Sequence, residues 1–468
     1  MQGSDLMISV SGIRGIVGRS LTPELLVRMG HAFGTYCRGG RIVVGRDTRV
    51  SGEMAKHAVL SGLIATGVKV LDLGVCATPT LTTSIEHLQA DGGVMVTASH
   101  NPIEWNALKF FRRDGLYLNA EESRDLLNIY YSGQFNNVGW DQLAPVHRIE
   151  HADARHVEQV LKIVNRELFS QRRLRVALDC CNGAGCNIAQ RLLSELNCEV
   201  ETIHCNPNGL FPHKPEPVCA NLGELCAFVK KVGADVGFAV DPDADRVTVI
   251  DETGYYVGEE AALALSTQHA LATRASRGPV VINMSTSRMT EDVARAAGCE
   301  VVRVAAGESN VAEKMKELNA SFGGEGNGGI IDPAVHVGRD AIIGMALMLE
   351  SMLQTGQRMS QLAQKLPAYQ MVKAKVECPP AAGRALIRKV KSMLRDVRID
   401  TRDGMRVDWD DRWVQLRASN TEPILRIIAE ARTAAQAQAL VDEFTAMLTD
   451  AGSESTMEKR PRANVSAA

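Results

Sequence analysis

Three carboxylates at alternate positions, Asp241, Asp243 and Asp245 in "DPDADR", are the residues of this chain best spaced for chemistry. In extended backbone alternate side chains share a face, so the three converge while Pro242 and Ala244 point away. Converging negative charge calls for a cation, unless the motif is an acidic hairpin tip that faces solvent. Three oxygen donors with room left for a phosphate oxygen or water suit Mg2+ better than a closed Ca2+ cage. The motif shares the D-x-D-x-D opening of an EF-hand loop and has Glu252 at the twelfth position. Arg246, however, occupies the sixth, where that loop needs glycine, and strand-forming residues flank the motif.

Ser99, in "VMVTASHNP", ends an apolar run, with His100 adjacent and Lys109 ten residues on. Alone, a serine after a strand reads as a turn residue, and no G-x-S-x-G elbow surrounds this one. Beside Mg2+ it becomes a candidate for phosphoryl transfer, where positioning and charge neutralisation do most of the catalysis. Lys109 is no base at its ordinary pKa of about 10.4; that role requires the value to be depressed.

"GGEGNGG" offers Glu325 and Asn327 on a glycine-rich turn. A carboxylate beside an amide can pair with neighbouring hydroxyls, as a sugar diol would present, and no Lys-Ser/Thr follows to make a Walker loop. "LRASNTEPILRI" gathers Arg417, Ser419, Asn420, Thr421 and Arg426 between two strands, either as a phosphate cradle or as a polar hairpin turn. Arg14 reads as part of a glycine-bracketed loop in "SVSGIRGIVG". Arg46, Asp47 and Arg49 in "VGRDTR" face either phosphate or solvent. Asp340 reads as a helix N-cap. His204, His213 and His336 lack partner spacing and read as structural or surface groups.

The elements that must carry these residues follow one pattern three times: strand, helix, strand, helix, strand. "RIVVGRD", "VKVLDLG" and "GGVMV" alternate with helices over "SGEMAKHAVLSGLIATG" and "PTLTTSIEHLQ", and the last strand delivers Ser99. The same pattern from "LRVALD" to "DVGFAV" delivers the aspartates, and from "PVVINM" to "ASFG" it delivers the glycine-rich turn. Alternation at this spacing predicts α/β domains with mixed sheets, whose ligands bind at the carboxyl ends of strands. After "GRDAIIGMALMLESMLQ" the pattern changes to a smaller α+β domain, whose last helix is expected to end near Leu448. The expected division is 1–150, 151–254, 255–370 and 371–450, with a disordered polar tail over 451–468.

The 468 residues are too many for one ordinary core. A formal net charge of -3 gives no nucleic-acid or membrane surface, and no apolar run approaches the roughly 18 residues of a span. Eleven scattered cysteines read as free thiols in a reducing cytoplasm. The group Cys180, Cys181 and Cys186 lacks the second pair that zinc would need. The expected assembly is a monomer or a homodimer.

In their order, "SGIRG", "TASHNP", "DPDADR", "GEGNGG" and "RASNTEP" resemble the α-D-phosphohexomutase family from one end of the chain to the other. The resemblance implies four domains around a central cleft and interconversion of hexose 1- and 6-phosphates through a hexose 1,6-bisphosphate. By motif it implies Ser99 as the phosphoserine, with Asp241, Asp243, Asp245 and the Ser99 phosphate holding Mg2+. Lys109 would assist proton transfer with His100 beside the serine, and Arg14 and Arg246 would stabilise the moving phosphoryl group. Glu325 and Asn327 would read sugar hydroxyls, and Arg417, Ser419, Asn420, Thr421 and Arg426 would bind the substrate's own phosphate. Many members carry "GEMSGH" or "GEQSGH" in the sugar loop where this chain has Asn327 and Gly329. With "AAGESNVAEKM", that loop is most similar to archaeal-type and phosphoglucosamine mutase-like members, which makes glucosamine phosphate the first choice of substrate; a loop that reads only hydroxyls common to glucose, mannose and glucosamine would accept several. A serine phosphomonoesterase and a non-catalytic sugar-phosphate sensor are the alternatives of other classes.

Overall fold

β-Branched runs make the strands that carry the site, and the computed structural model describes residues 6–9, 12–274, 277–418 and 424–457. "RIVVGR" forms the strand Arg41–Arg46 inside a seven-stranded sheet, parallel to Lys69–Val75 on one side and Gly92–Val96 on the other. The helices Gly52–Ala65 and Thr78–His87 make the crossovers, as the periodicity predicts.

Two strands outside the expected pattern complete this sheet. Trp105–Arg112 runs antiparallel beside Gly92–Val96, with Lys109 opposite Met95. Gly12–Ile16 runs antiparallel beside Trp105–Arg112, with Arg14 opposite Ala107. Arg14 therefore sits on a strand, not in the loop its glycines suggested. Gly12 and Gly15 are there because a Cβ on either would meet Leu108 O or the Ser20 side chain.

The second sheet has the order 247–251, 236–240, 175–179, 199–203, and the third 301–304, 280–283, 322–325, 329–331. Each is parallel apart from one antiparallel edge strand, Val247–Asp251 and Gly329–Ile331 respectively. The final sheet is wholly antiparallel, from Gln370–Glu377 through Ile424–Ala431 to Arg398–Asp400, and carries two helices, Pro380–Met393 and Ala434–Met457. The last helix passes Leu448 and takes in residues 451–457 of the segment expected to be disordered; 458–468 lie outside the described residues.

The apolar cores do not divide as the sheets do. Residues of the second and third sheets share one core, bridged by the helix Ala341–Thr355, which is buried on nearly every face. The first sheet has a separate core on each face, and the last domain has its own. Polar bonds tie that last domain to the third: Arg288 N donates to Glu430 Oε1 at 2.9 Å, Ser285 Oγ to Gln415 at 2.8 Å and Ala306 N to Asp403 at 3.0 Å. Among the described residues no helix is long and apolar enough to cross a membrane.

Candidate active site

Ser99 lies just past the carboxyl end of Gly92–Val96, 7% exposed, with φ of 49°. A serine in the left-handed region is uncommon and costs energy that neighbouring bonds must offset. Arg49 provides them. Buried, it donates through Nη1 to Pro102 O and Trp105 O at 2.7 and 2.9 Å, and through Nη2 to Ser99 O and Asn101 O, both at 2.6 Å. Its Nε is held by Asp47, whose carboxylate also accepts from Thr97 Oγ1 at 2.6 Å. "GRDTR" thus faces neither phosphate nor solvent at Asp47 and Arg49; it clamps the serine loop from behind.

The clamp aims Ser99 Oγ across the domain boundary, where it donates to Asp241 Oδ2 at 2.7 Å. Asp241, Asp243 and Asp245 are fully buried, and their oxygens lie within 4.8 Å of one another. Pro242 and Ala244 separate them in a tight turn, Ala244 at φ of 55°, between Val236–Val240 and Val247–Asp251. Lys109 Nζ, from Trp105–Arg112, bonds Asp243 Oδ2 at 2.7 Å and lies 3.7 Å from Asp245 Oδ2. Burial works to lower the Lys109 pKa, but Asp243, Tyr117 and Asp245 together outweigh it and the ammonium is held well above its usual value. Burial, then Asp245 and Asp243, push Asp241 well up, whereas Lys109 and Thr78 hold Asp243 down against its own burial.

The fit to a hard cation rests on two buried oxygens. Asp243 Oδ1 and Asp245 Oδ1 have no hydrogen-bond partner among the described residues, a costly arrangement that a divalent ion relieves. Asp241, Asp243 and Asp245 with Ser99 Oγ offer an all-oxygen donor set.

Two guanidinium groups stand beside neighbours of the serine and the aspartates. Arg14 Nη1 reaches Asn101 Oδ1 at 3.3 Å, and Arg246 Nε stands 3.6 Å from Asp245 Oδ1. His100 Nδ1 is 3.3 Å from Ser99 Oγ. Positive charge from Arg246, then burial, hold the imidazole pKa well below its usual value, with Arg14 and Arg339 adding to the effect. A neutral imidazole among cations marks a place that favours an anion.

Arg339, beside the Asp340 cap, joins the aspartate trio to the glycine-rich loop. Its Nη2 bonds Asp245, its Nη1 bonds Glu325 Oε2 at 2.8 Å and its Nε bonds Glu308 Oε2 at 3.0 Å. Glu325 also accepts from Asn283 Nδ2 at 2.7 Å and Gly307 N at 2.8 Å. Its own burial raises the Glu325 pKa, but Arg339 and these donors hold the carboxylate ionised. "GEGNGG" forms the hairpin turn between Phe322–Glu325 and Gly329–Ile331, with Asn327 Oδ1 accepting from Gly329 N at 3.2 Å. Beneath it lies Glu260, whose carboxylate would meet a Cβ at Gly326 within 2.1 Å. A carboxylate at the start of an apolar helix gave no sequence signal for that position.

Arg417 and Arg426 face each other on adjacent strands of the last sheet, and Arg417 Nε bonds Asp403 Oδ1 at 2.9 Å. Ser419, Asn420 and Thr421 lie outside the described residues. Asp340 caps its helix through Ile342 N at 2.8 Å, as expected, and its other oxygen binds His156 and His336 at 2.7 and 3.0 Å. His336 is thus partnered, contrary to the sequence reading, by an aspartate only four residues on. So are His204 and His213, which meet on Asp179, and Cys180 and Cys186, which Cys205 joins. Partners distant in sequence leave no local pattern.

Three α/β units and an α+β unit, with a serine, an aspartate trio and a glycine-rich loop at their strand ends, define an isomerase of the phosphohexomutase class. The chain belongs to the phosphoglucomutase/phosphomannomutase family. Models of that family's alpha/beta/alpha domains I, II and III match residues 6–137, 154–254 and 259–369, and its C-terminal domain matches 371–447. A relative named "Probable phosphoglucosamine mutase" from Methanopyrus kandleri is 40% identical over 93% of this chain and 96% of its own. A Thermococcus kodakarensis relative named "Phosphoglucomutase/phosphomannomutase" is 37% identical over 94% of this chain and 98% of its own. Among solved structures, a phosphoglucomutase/phosphomannomutase family protein from Burkholderia thailandensis superposes with a TM-score of 0.83 at 26% identity, covering 95% of this chain and 98% of that one.

Proposed function

We propose that this phosphohexomutase interconverts the 6- and 1-phosphates of glucosamine, through phosphorylated Ser99 and a hexose 1,6-bisphosphate that turns over in the cleft. The observation that carries the site assignment is Ser99 Oγ donating to Asp241 at 2.7 Å, beside Lys109 on Asp243. In each half-reaction the bond from phosphorus to Ser99 Oγ breaks as one to a sugar oxygen forms, or the reverse. Lys109, an ammonium in this setting, gives a proton to the leaving serine oxygen and regains one from the sugar hydroxyl. Arg14 and Arg246 take the charge of the moving group, which a neutral His100 leaves them free to do. Asp241, Asp243, Asp245 and a Ser99 phosphate oxygen would hold Mg2+, whose charge would offset that of the phosphoryl group and of the carboxylates that bind Lys109.

In the same reading Glu325 and Asn327 bind two sugar hydroxyls, and Arg417, Ser419, Asn420, Thr421 and Arg426 bind the phosphate that the sugar keeps. The division at 150, 254 and 370 belongs to this proposal too, supported by the sheets and by the residues the family models match. The sugar assignment is supported by the Methanopyrus relative's name and by the "GEGNGG" turn. A broader mutase that also takes glucose and mannose phosphates is the second reading, favoured by the name of the Thermococcus relative.

Turnover of glucosamine, glucose and mannose phosphates, compared side by side with trace bisphosphate, tests both. The highest kcat/KM with glucosamine phosphate is expected; comparable values for all three select the second reading, and phosphate release without isomerisation refutes transfer to sugar. Ser99→Ala is expected to lose turnover while calorimetry still detects substrate binding. Mutase activity in that variant would remove Ser99 from the mechanism.

A further inference from the structure

Two neighbouring parallel strands of the second sheet, Arg175–Asp179 and Glu199–Ile203, end on a cluster that phosphoryl transfer leaves unused. Asp179 is 1% exposed. Its Oδ1 accepts from Cys181 N at 2.8 Å, which fixes the carboxylate. Its Oδ2 lies 2.9 Å from His204 Nδ1 and 3.1 Å from His213 Nε2. The outer nitrogen of each ring also faces an oxygen: His213 Nδ1 is 2.8 Å from Lys214 O, and His204 Nε2 is 3.4 Å from Glu224 Oε2. An imidazole flanked by acceptors on both sides either carries a second proton or gives its inner nitrogen to a metal. The outer pattern, one ring on a carbonyl and the other on a carboxylate, is the one that orients metal-bound histidines.

We propose that Asp179, His204 and His213 form a binding site for a divalent transition metal, with Zn2+ as its probe, separate from the aspartate trio. Metal–ligand bonds of about 2.0–2.2 Å put neighbouring donors of a tetrahedral ion roughly 3 Å or a little more apart, so the observed donor spacing needs only a small outward adjustment. The two imidazoles are 16% and 17% exposed, which leaves the fourth position to solvent and gives the ion a way in. Two nitrogen donors select against Mg2+, so the all-oxygen trio and this cluster sort cations by softness. A metal takes only unprotonated imidazole nitrogens, so its binding competes with protons and strengthens as pH rises.

The site has a mechanical consequence. Phe211, two residues before His213, lies under the Arg49 guanidinium at 4.9 Å, and Gly209 packs on Thr48 O. An ion that joins His204 and His213 ties both ends of this segment to a strand end, and so braces the residue that clamps the Ser99 loop.

The test is zinc retention by the full chain. Protein is equilibrated with Zn2+ in excess Mg2+, desalted and analysed for metal, with X-ray absorption on the wild-type sample. One zinc per chain is expected, with a nitrogen and oxygen first shell and imidazole scattering. His213→Ala is expected to lose that zinc. Cys180→Ser with Cys186→Ser, and separately His336→Gln, are expected to keep it. No retained zinc, a sulfur shell, retention by folded His213→Ala, or loss in His336→Gln would each overturn the site. The sulfur shell decides against it even if His213→Ala fails to fold.

Discussion

Arg49 donates to four backbone carbonyls around Ser99, and a lysine at that position has only three donors and no planar fork. Arg49→Lys should therefore leave the loop charged from behind yet loosely held. Misplacement of a reacting atom by about 1 Å costs on the order of 10²-fold. A kcat reduced by about that much, with substrate binding little changed, is the expected outcome of steady-state kinetics joined to calorimetry. The serine, the aspartates and Lys109 could be picked out as candidates from short spacings, and the fold brings them into contact. Arg49 could not: "GRDTR" looks like any polar strand end, and only the chain's return at Pro102 and Trp105 gives its guanidinium something to hold. Arg339 was hidden for the same reason, since its three carboxylates come from 31, 14 and 94 residues away.

At the scale of elements, the repeated strand–helix pattern was readable because buried parallel strands are continuous apolar runs. Trp105–Arg112 and Gly12–Ile16 were missed because neither reads as an apolar run: Lys109 falls inside the first, and the second is five residues long with two glycines and an arginine. The helix Glu259–Thr273 carries a further consequence at its first turn. Burial pushes the Glu260 carboxyl up from the ordinary 4.5 to about 8, against the pull of Lys373 and the Ser287 N–H, with Glu430 and Glu259 adding to the rise. A carboxyl raised on folding binds more protons in the native state than in the unfolded one. Its contribution is thus favourable below about 4.5 and declines as pH climbs through about 8. Glu260→Gln should flatten the dependence of the urea midpoint on pH between those values. An unchanged slope would show that the carboxyl ionises freely beneath the glycine turn.

The whole molecule is joined by two kinds of seam. His156, His336 and Asp340 bring a helix of the second unit and a loop of the third together, and Thr80 of the first unit bonds His156 Nδ1 at 3.0 Å. All three side chains are buried, and the imidazoles hold the Asp340 pKa well down against its own burial. Asp340→Asn keeps the helix cap but removes the shared charge, and a loss of about 3 kcal/mol is expected from urea unfolding. The last domain meets the third through hydrogen bonds and ion pairs around Arg288, Ser285 and Ala306, the kind of interface across which domains move.

The apolar core shared by the second and third sheets also decides where this chain can be cut. A fragment ending at 254 would strip the helix Ala341–Thr355 from the strands it covers and leave a broad greasy face to water. A fragment ending at 370 would lose a module that keeps its own core and would leave behind mainly polar groups. Size-exclusion chromatography should find the shorter piece in aggregates and the longer one as a discrete species. Four units in the family's description thus behave as three when the chain is built or inherited in parts: one that presents the serine, one inseparable pair, and one detachable cover.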